Sequence, residues 1–227
     1  GLRDPKGNLT DALPAFAKRA REDVLAFAQG DKPFFLYIPL TSPHSPVVPN
    51  KPFQGKTNIG SYGDFVVETD WVVGQVMKAV DDAKIKDNTL FIFTTDNGAA
   101  QFSRKTKGGK THLSSGPYRG RKRDNWEGGH RVPFIARWPG VVEPGTVSSN
   151  ILCLTDLTRI LVAVAGGEIT RHDVAEDSFS FLHALKEDAR VSAVAGNLLR
   201  REATVHHGSS GEFAIRIGDW VYLHHQG

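Results

Sequence analysis

The sequence predicts an α/β fold with a small antiparallel β unit at its C-terminal end, and three observations carry that prediction. Pro33-Phe34-Phe35-Leu36-Tyr37-Ile38 and Thr89-Leu90-Phe91-Ile92-Phe93 are apolar runs too short for helices, which predicts buried strands. Between them Phe65, Val66, Val72, Val73, Val76 and Val80 recur at helical spacing from Tyr62 to about Ala83. Strand, loop, helix, strand is the rhythm of a parallel βαβ unit. Third, the chain ends in short strand-like runs, residues 203–207, 213–217 and 220–223, joined by Gly208-Ser209-Ser210-Gly211 and by the hairpin signal Gly218-Asp219.

The other elements follow in order. Asp4-Pro5-Lys6-Gly7-Asn8 is turn-forming, and Leu13, Phe16, Ala17, Ala20, Val24, Phe27 and Ala28 predict a helix capped by Thr10 and stopped by Gly30. Asn8-Leu9-Thr10 fits the glycosylation sequon, but the turn-plus-cap reading is the stronger one. The loop after residue 38 holds His44 among Pro43, Pro46 and Pro49, whose fixed φ stiffens it and can pre-orient an imidazole. Asp81-Asp82 diverge by about 100° on a helix and read as solvated charges. A strand is predicted over Arg131–Trp138, with Pro133 implying an edge or bulge, then a helix over Leu154–Ala165 and a short one over Phe179–Leu185.

Composition restricts the function classes. The chain has 227 residues, 40% of them apolar and 23% charged, as in an ordinary soluble globular protein of one domain with at most a small appendage. No run approaches the ~20 apolar residues of a membrane span. Gly1 is not an initiator Met and no leader is recognisable, so the compartment of synthesis stays open. One cysteine, Cys153, excludes an internal disulfide and a multi-cysteine metal site, and its apolar neighbours predict a core residue. The net charge of +3 is unevenly spread, since residues 103–123 carry eight Lys and Arg and no acid. With only Tyr118 among those cations, stacking platforms for single-stranded nucleic acid are lacking, and no nucleic-acid partner is expected.

Three loops at predicted strand ends carry chemistry: His44, the oxygen pair Asp96-Asn97 followed by the turn-former Gly98, and the basic run with Lys122 at its centre. A tetrahedral sulfate or phosphate ester needs charge neutralisation on its non-bridging oxygens, from a cation and a bound divalent metal. Its leaving oxygen needs a proton, which imidazole can give near neutral pH.

The segments 34–46, Phe91-Ile92-Phe93-Thr94-Thr95-Asp96-Asn97-Gly98, and Arg119-Gly120-Arg121-Lys122 through Trp126-Glu127-Gly128-Gly129-His130-Arg131-Val132-Pro133-Phe134 together resemble the sulfatase (arylsulfatase) family of the alkaline-phosphatase-like superfamily, in order and in spacing. Residues 213–220 resemble the family's late hairpin, so the likeness covers nearly the whole chain. It implies an alkaline-phosphatase-like mixed sheet with flanking helices, present in part, with residues 1–200 the C-terminal portion of the α/β domain and 201–227 the start of an antiparallel subdomain. It implies sulfuric ester hydrolysis of a small-molecule or glycan sulfate ester, with a periplasmic or secreted location. By residue, it implies that His44 contacts the sulfate or protonates the leaving group, that Lys122 binds a sulfate oxygen, and that Asp96 and Asn97 ligate a divalent ion, normally Ca2+. Arg119 and Arg121 are expected to be structural or to support the site from behind, and His130 receives no chemical role.

The family's nucleophile is a formylglycine made from a Cys/Ser-x-Pro-x-Arg motif ahead of all these segments. Cys153 is followed by Leu154-Thr155-Asp156, and Ser42 and Ser45 lack the arginine, so the motif is expected to lie outside this chain. Calcium takes six to eight oxygens, of which Asp96 and Asn97 supply fewer than half. The resemblance therefore implies a fragment with half of the active site and little turnover alone, needing an N-terminal part or an oligomeric partner. Two alternatives stand beside it: a phosphoesterase or phosphonate hydrolase of the same superfamily, and a non-catalytic remnant binding polyanions through residues 104–123.

Overall fold

Leu13, Ala17, Ala20 and Val24 lie on one stripe of the first helix, α1 (Ala12–Phe27), and are buried. The computed structural model describes residues 8–101, 103–171, 173–185 and 201–224 of the chain. The turn expected at residues 4–8 falls almost wholly outside them. A 3-10 turn, Leu9–Asp11, leads into α1, and its cap is Asn8, whose Oδ1 accepts from the Thr10 amide at 3.4 Å; the expected cap, Thr10, makes no such bond.

The second helix, α2 (Ser61–Asp82), packs on α1, and Leu13, Ala17, Phe65 and Val72 form their common core. Full burial of each large apolar side chain contributes roughly 1.5–3 kcal/mol. The buried face of α2 is wider and more polar than its apolar stripe predicts. Val66 is 41% exposed, whereas Asp64 and Glu68 are 4% and 0% exposed. Both carboxylates are satisfied. Glu68 accepts from the backbone and side-chain N–H groups of Asn50, which also donates to the Thr10 carbonyl. Asp64 accepts from the amides of Gly55 and Thr57 and from the Thr57 hydroxyl. Burial raises the Asp64 carboxyl, and these hydrogen bonds together with Lys107 more than reverse it, holding the group below the usual range. Asp82 is solvated as expected and pairs with Arg21 and Lys78.

The run 34–38 is not a strand. Among the described residues it has no ladder partner, and Phe35 and Tyr37 are 69% and 75% exposed. An apolar extended run becomes a strand only through partners on its edges, and the segments described here supply none.

Strand β1 (Phe91–Thr94) is half-buried. Two short strands absent from the expectation, β2 (Ser103–Lys105) and β3 (Thr111–Leu113), form a hairpin inside the long basic loop. A one-turn helix, α3 (Glu127–His130), precedes β4 (Phe134–Arg137), which pairs with β1 antiparallel, Phe91 opposite Arg137 and Thr94 opposite Phe134. Pro133 thus stands before the strand, where its missing N–H costs nothing. No parallel pair occurs among the described strands, so the βαβ expectation is corrected: β1 and β4 meet antiparallel, and no ladder joins 34–38 to β1.

Helices α4 (Leu157–Val164) and α5 (Leu182–Leu185) supply Ile160 and Leu185, which with Phe181, just before α5, form a core against which Leu90, Phe134, Ala136 and Leu152 pack. Asp156, 1% exposed, caps this region by accepting from the amides of Cys153 and Phe179, and it pairs with Arg201 at 2.6 Å. Cys153 is half-buried. The C-terminal sheet is as expected: β5 (Ala203–His207), β6 (Phe213–Ile217) and β7 (Trp220–Leu223) pair antiparallel in that order.

The chain forms two compact units, residues 1–89 with 103–114, and residues 90–102 with 115–227. The C-terminal sheet thus belongs to the same unit as β1 and β4, and neither unit boundary falls at 200.

Candidate active site

His44 lies in the first unit; Asp96, Asn97 and Lys122 lie in the second. The His44 loop is tied to α2 through Ser42. The Thr69 hydroxyl is 2.8 Å from the Phe65 carbonyl and 2.7 Å from the Ser42 hydroxyl. With one proton to give, it donates to the carbonyl and accepts from Ser42. The exposed His44 ring places Nδ1 2.8 Å from the Ser45 carbonyl. A carbonyl only accepts, so Nδ1 carries the hydrogen and Nε2 is the nitrogen left to accept a proton.

In the second unit, Asp96 and Asn97 follow directly on the carboxyl end of β1, where ligands collect in α/β sheets. The Thr95 hydroxyl donates to the Asn97 carbonyl at 3.3 Å, and the Asn97 amide nitrogen donates to the Gly98 carbonyl at 3.0 Å. Asn97 Oδ1 is therefore turned away from the backbone bond. The exposed Asp96 carboxylate makes no hydrogen bond or ion pair with any described residue.

Gly98 serves a purpose other than the sharp turn expected of it. Its φ is not positive; a Cβ there would stand 1.9 Å from the Gly128 carbonyl oxygen. The Gly98 amide donates to the Gly129 carbonyl, and the Lys122 amide to the Ala99 carbonyl, both at 2.8 Å. The oxygen pair and the lysine are thus mounted on one backbone frame. Lys122 is half-buried and its ammonium has no partner among the described residues. Arg119 stacks on Trp126, 3.7 Å from the ring centre, and Arg121 holds a tight turn with Asp124. Arg104 stacks on Tyr62, so the basic run is not one continuous free patch.

The loop's far side faces the C-terminal sheet. Glu127 pairs with Arg131 and with Arg216 of β6, at 3.1 and 2.9 Å. The rings of His130 and His206 lie 3.6 Å apart, centre to centre. Burial, then the neighbouring His206, lowers the His130 pKa to about 4; burial also lowers that of His206. Nothing in the local sequence marks this contact, because the two histidines are far apart in the chain.

The expectation that no Cys/Ser-x-Pro-x-Arg occurs in the chain requires correction: Ser115-Gly116-Pro117-Tyr118-Arg119 fits it letter for letter. It follows Asp96-Asn97 where the family's motif precedes everything. Its hydroxyl donates to the Gly120 carbonyl at 3.2 Å, closing the Lys122 loop, and its arginine is the one stacked on Trp126.

Asp96 and Asn97 are hard, uncommitted oxygen donors, which suits Ca2+ or Mg2+. They fit part of a coordination shell. No group of three or more His, Cys, Asp or Glu that could hold an ion occurs among the described residues.

The frame thus sets oxygen donors and a lysine with no partner among the described residues just beyond a strand end. The Sulfatase family model matches residues 9–167, and the chain belongs to that family. It is 32% identical over 200 residues to an N-acetylgalactosamine-6-O-sulfatase of Bacteroides thetaiotaomicron, covering 85% of this chain and 37% of the relative. It is 42% identical over 170 residues to human N-acetylgalactosamine-6-sulfatase, covering 73% of this chain and 30% of the human one. Among solved structures, a 6S-sulfatase from work on how Bacteroides thetaiotaomicron metabolises multiple glycosaminoglycans superposes with a TM-score of 0.81 at 29% identity, over 96% of this chain and 44% of that one. A sulfatase from Pseudoalteromonas sp. shares the fold, with a TM-score of 0.77 at 22% identity, over 100% of this chain and 47% of that one. The fold is alkaline-phosphatase-like. The chain spans about a third of the length of the two curated relatives and somewhat under half of the two solved structures.

Proposed function

We propose that the protein to which this chain belongs hydrolyses sulfate esters of sulfated glycans. The carrying observation is the backbone frame that ties Asp96-Asn97-Gly98 to Lys122, whose ammonium has no partner among the described residues. Relatives named for N-acetylgalactosamine 6-sulfate support the substrate class.

In this reading Lys122 binds a sulfate oxygen. His44 contacts the sulfate or delivers a proton to the departing alcohol oxygen. Asp96 and Asn97 contribute oxygens to a divalent ion, normally Ca2+, which when bound neutralises charge on the ester's non-bridging oxygens. No residue described here takes the role of nucleophile, and the isolated chain is expected to show little or no turnover. The periplasm or the exterior of the cell is the proposed location; no helix among the described residues is long and apolar enough to cross a membrane.

The test is binding and turnover by this chain with calcium. An aryl sulfate or a 6-sulfated amino sugar should bind weakly, with loss of at least about tenfold in affinity in Lys122→Ala, the scale of one charge-assisted hydrogen bond. Tighter binding of the matching phosphate ester would favour the phosphoesterase alternative. Full turnover by the isolated chain would overturn the incompleteness, and oxidation of Ser115 seen by peptide mass spectrometry would locate the nucleophile there.

A further inference from the structure

Lys122 is followed by a strained residue. Arg123 has φ +84°, a conformation that L side chains rarely adopt and that persists only where the surroundings hold it. The restraint comes from the β5–β6 turn. The Ser209 amide donates to the Arg123 carbonyl at 2.9 Å. Gly208 approaches so closely that a Cβ there would lie 3.0 Å from that same carbonyl oxygen and 3.4 Å from Asn125 Oδ1. The Asn125 amide in turn donates to the Glu212 carbonyl at 2.7 Å, on the far side of the turn. On its other side the Lys122 amide is bound to Ala99, next to the Asp96-Asn97 corner. The lysine backbone is thus gripped between the oxygen-donor corner and a turn more than eighty positions later in the chain.

From this juxtaposition we propose that the β5–β6 turn is a positioning element for Lys122, with the Ser209 amide holding Arg123 in its strained conformation. The proposal rests on the reading of Lys122 as the sulfate-binding lysine. A flexible stem carrying an ammonium with no partner among the described residues is only as well placed as the backbone beneath it, so the site's precision depends on this remote turn. The strain gives the turn a specific task, because without the Ser209 bond Arg123 would relax to negative φ and carry Lys122 away from Ala99.

Amide hydrogen exchange on the full 227-residue chain tests it. Ser209→Pro, which removes the donor, should speed exchange at Lys122 and Asp124 by about tenfold, the equivalent of one backbone hydrogen bond, and leave α1, α2 and the β1–β4 pair unchanged. Ser209→Ala keeps the N–H and should match the parent. On an Arg123→Gly background, where no strain is left to relax, Ser209→Pro should alter exchange by less than about threefold. An ordinary packing contact would give the same increase in both backgrounds. That result, or no increase in the parent, overturns the proposal. Should Ser209→Pro unfold the sheet by circular dichroism, Gly208→Ala gives the same comparison by crowding the turn off Arg123. The functional reading fails separately, if Lys122→Ala leaves the shifts induced by inorganic sulfate unchanged while the exchange pattern stays intact.

Discussion

A methyl group at position 98 has nowhere to go: the Gly128 carbonyl oxygen would lie 1.9 Å from it and the Gly129 carbonyl carbon 3.0 Å. Both obstacles are backbone, so Gly98→Ala should cost at least about 2 kcal/mol in urea unfolding and loosen the Lys122 loop. The sequence marked Gly98 as special for its turn chemistry. The structure gives a different reason, a close approach by a loop some thirty residues later, which no local pattern encodes. Glu68 was not foreseen at all. It occupies an apolar-stripe position of α2, is fully buried, and holds two N–H groups of Asn50. Glu68→Ala should cost about 3 kcal/mol by stranding those donors and leaving a void, read from the shift of the denaturation midpoint. His44, Asp96, Asn97 and Lys122 were legible as candidates because each stands in a motif whose residue types suit anion and metal chemistry. Their support was not, since Ser42, Thr69 and Ala99 carry no chemical signature.

At the level of elements, helices declared themselves and one strand misled. Periodicity located α1 and α2 to within a few residues, because a helix satisfies its backbone internally. Residues 34–38 read as a strand on composition, but a strand's hydrogen bonds belong to other segments. The C-terminal sheet was legible since each of its turns joins immediate neighbours. Its contact with the Lys122 loop has a pH consequence. Burial and the neighbouring His206 act on His130, with Glu127, the Asp124 backbone and Arg216 also facing it, and its pKa falls to about 4. The unfolded chain binds a proton at the ordinary value near 6.5 and the folded chain does not, so stability is lost as pH falls from about 6.5 to about 4. His130→Phe should flatten that slope in melting temperatures taken across the window. The parent's slope surviving intact in the variant would assign the effect to other groups.

For the molecule as a whole, the face of the C-terminal sheet turned away from the Lys122 loop carries Val205, Phe213, Ile217, Trp220 and Tyr222, all more than half exposed. An exposed patch of this kind promotes association. The isolated chain should bind a hydrophobic dye and self-associate on concentration, and Trp220→Lys with Ile217→Lys should reduce both, measured by fluorescence and light scattering. The charge balance of +3 did not foretell this, because it averages over surfaces that the fold separates. What the sequence determined by itself were the local matters: two amphipathic helices, the terminal hairpins, the family, and the residue types of the site. Only the tertiary structure decided that β1 meets β4 antiparallel, that Gly98 seats the Lys122 loop, and that a distant turn holds Arg123 strained. The physical reason is one of range, since periodicity and turn chemistry act over a few residues, whereas close backbone approach and buried polar pairing are set by segments that meet only after the chain has folded.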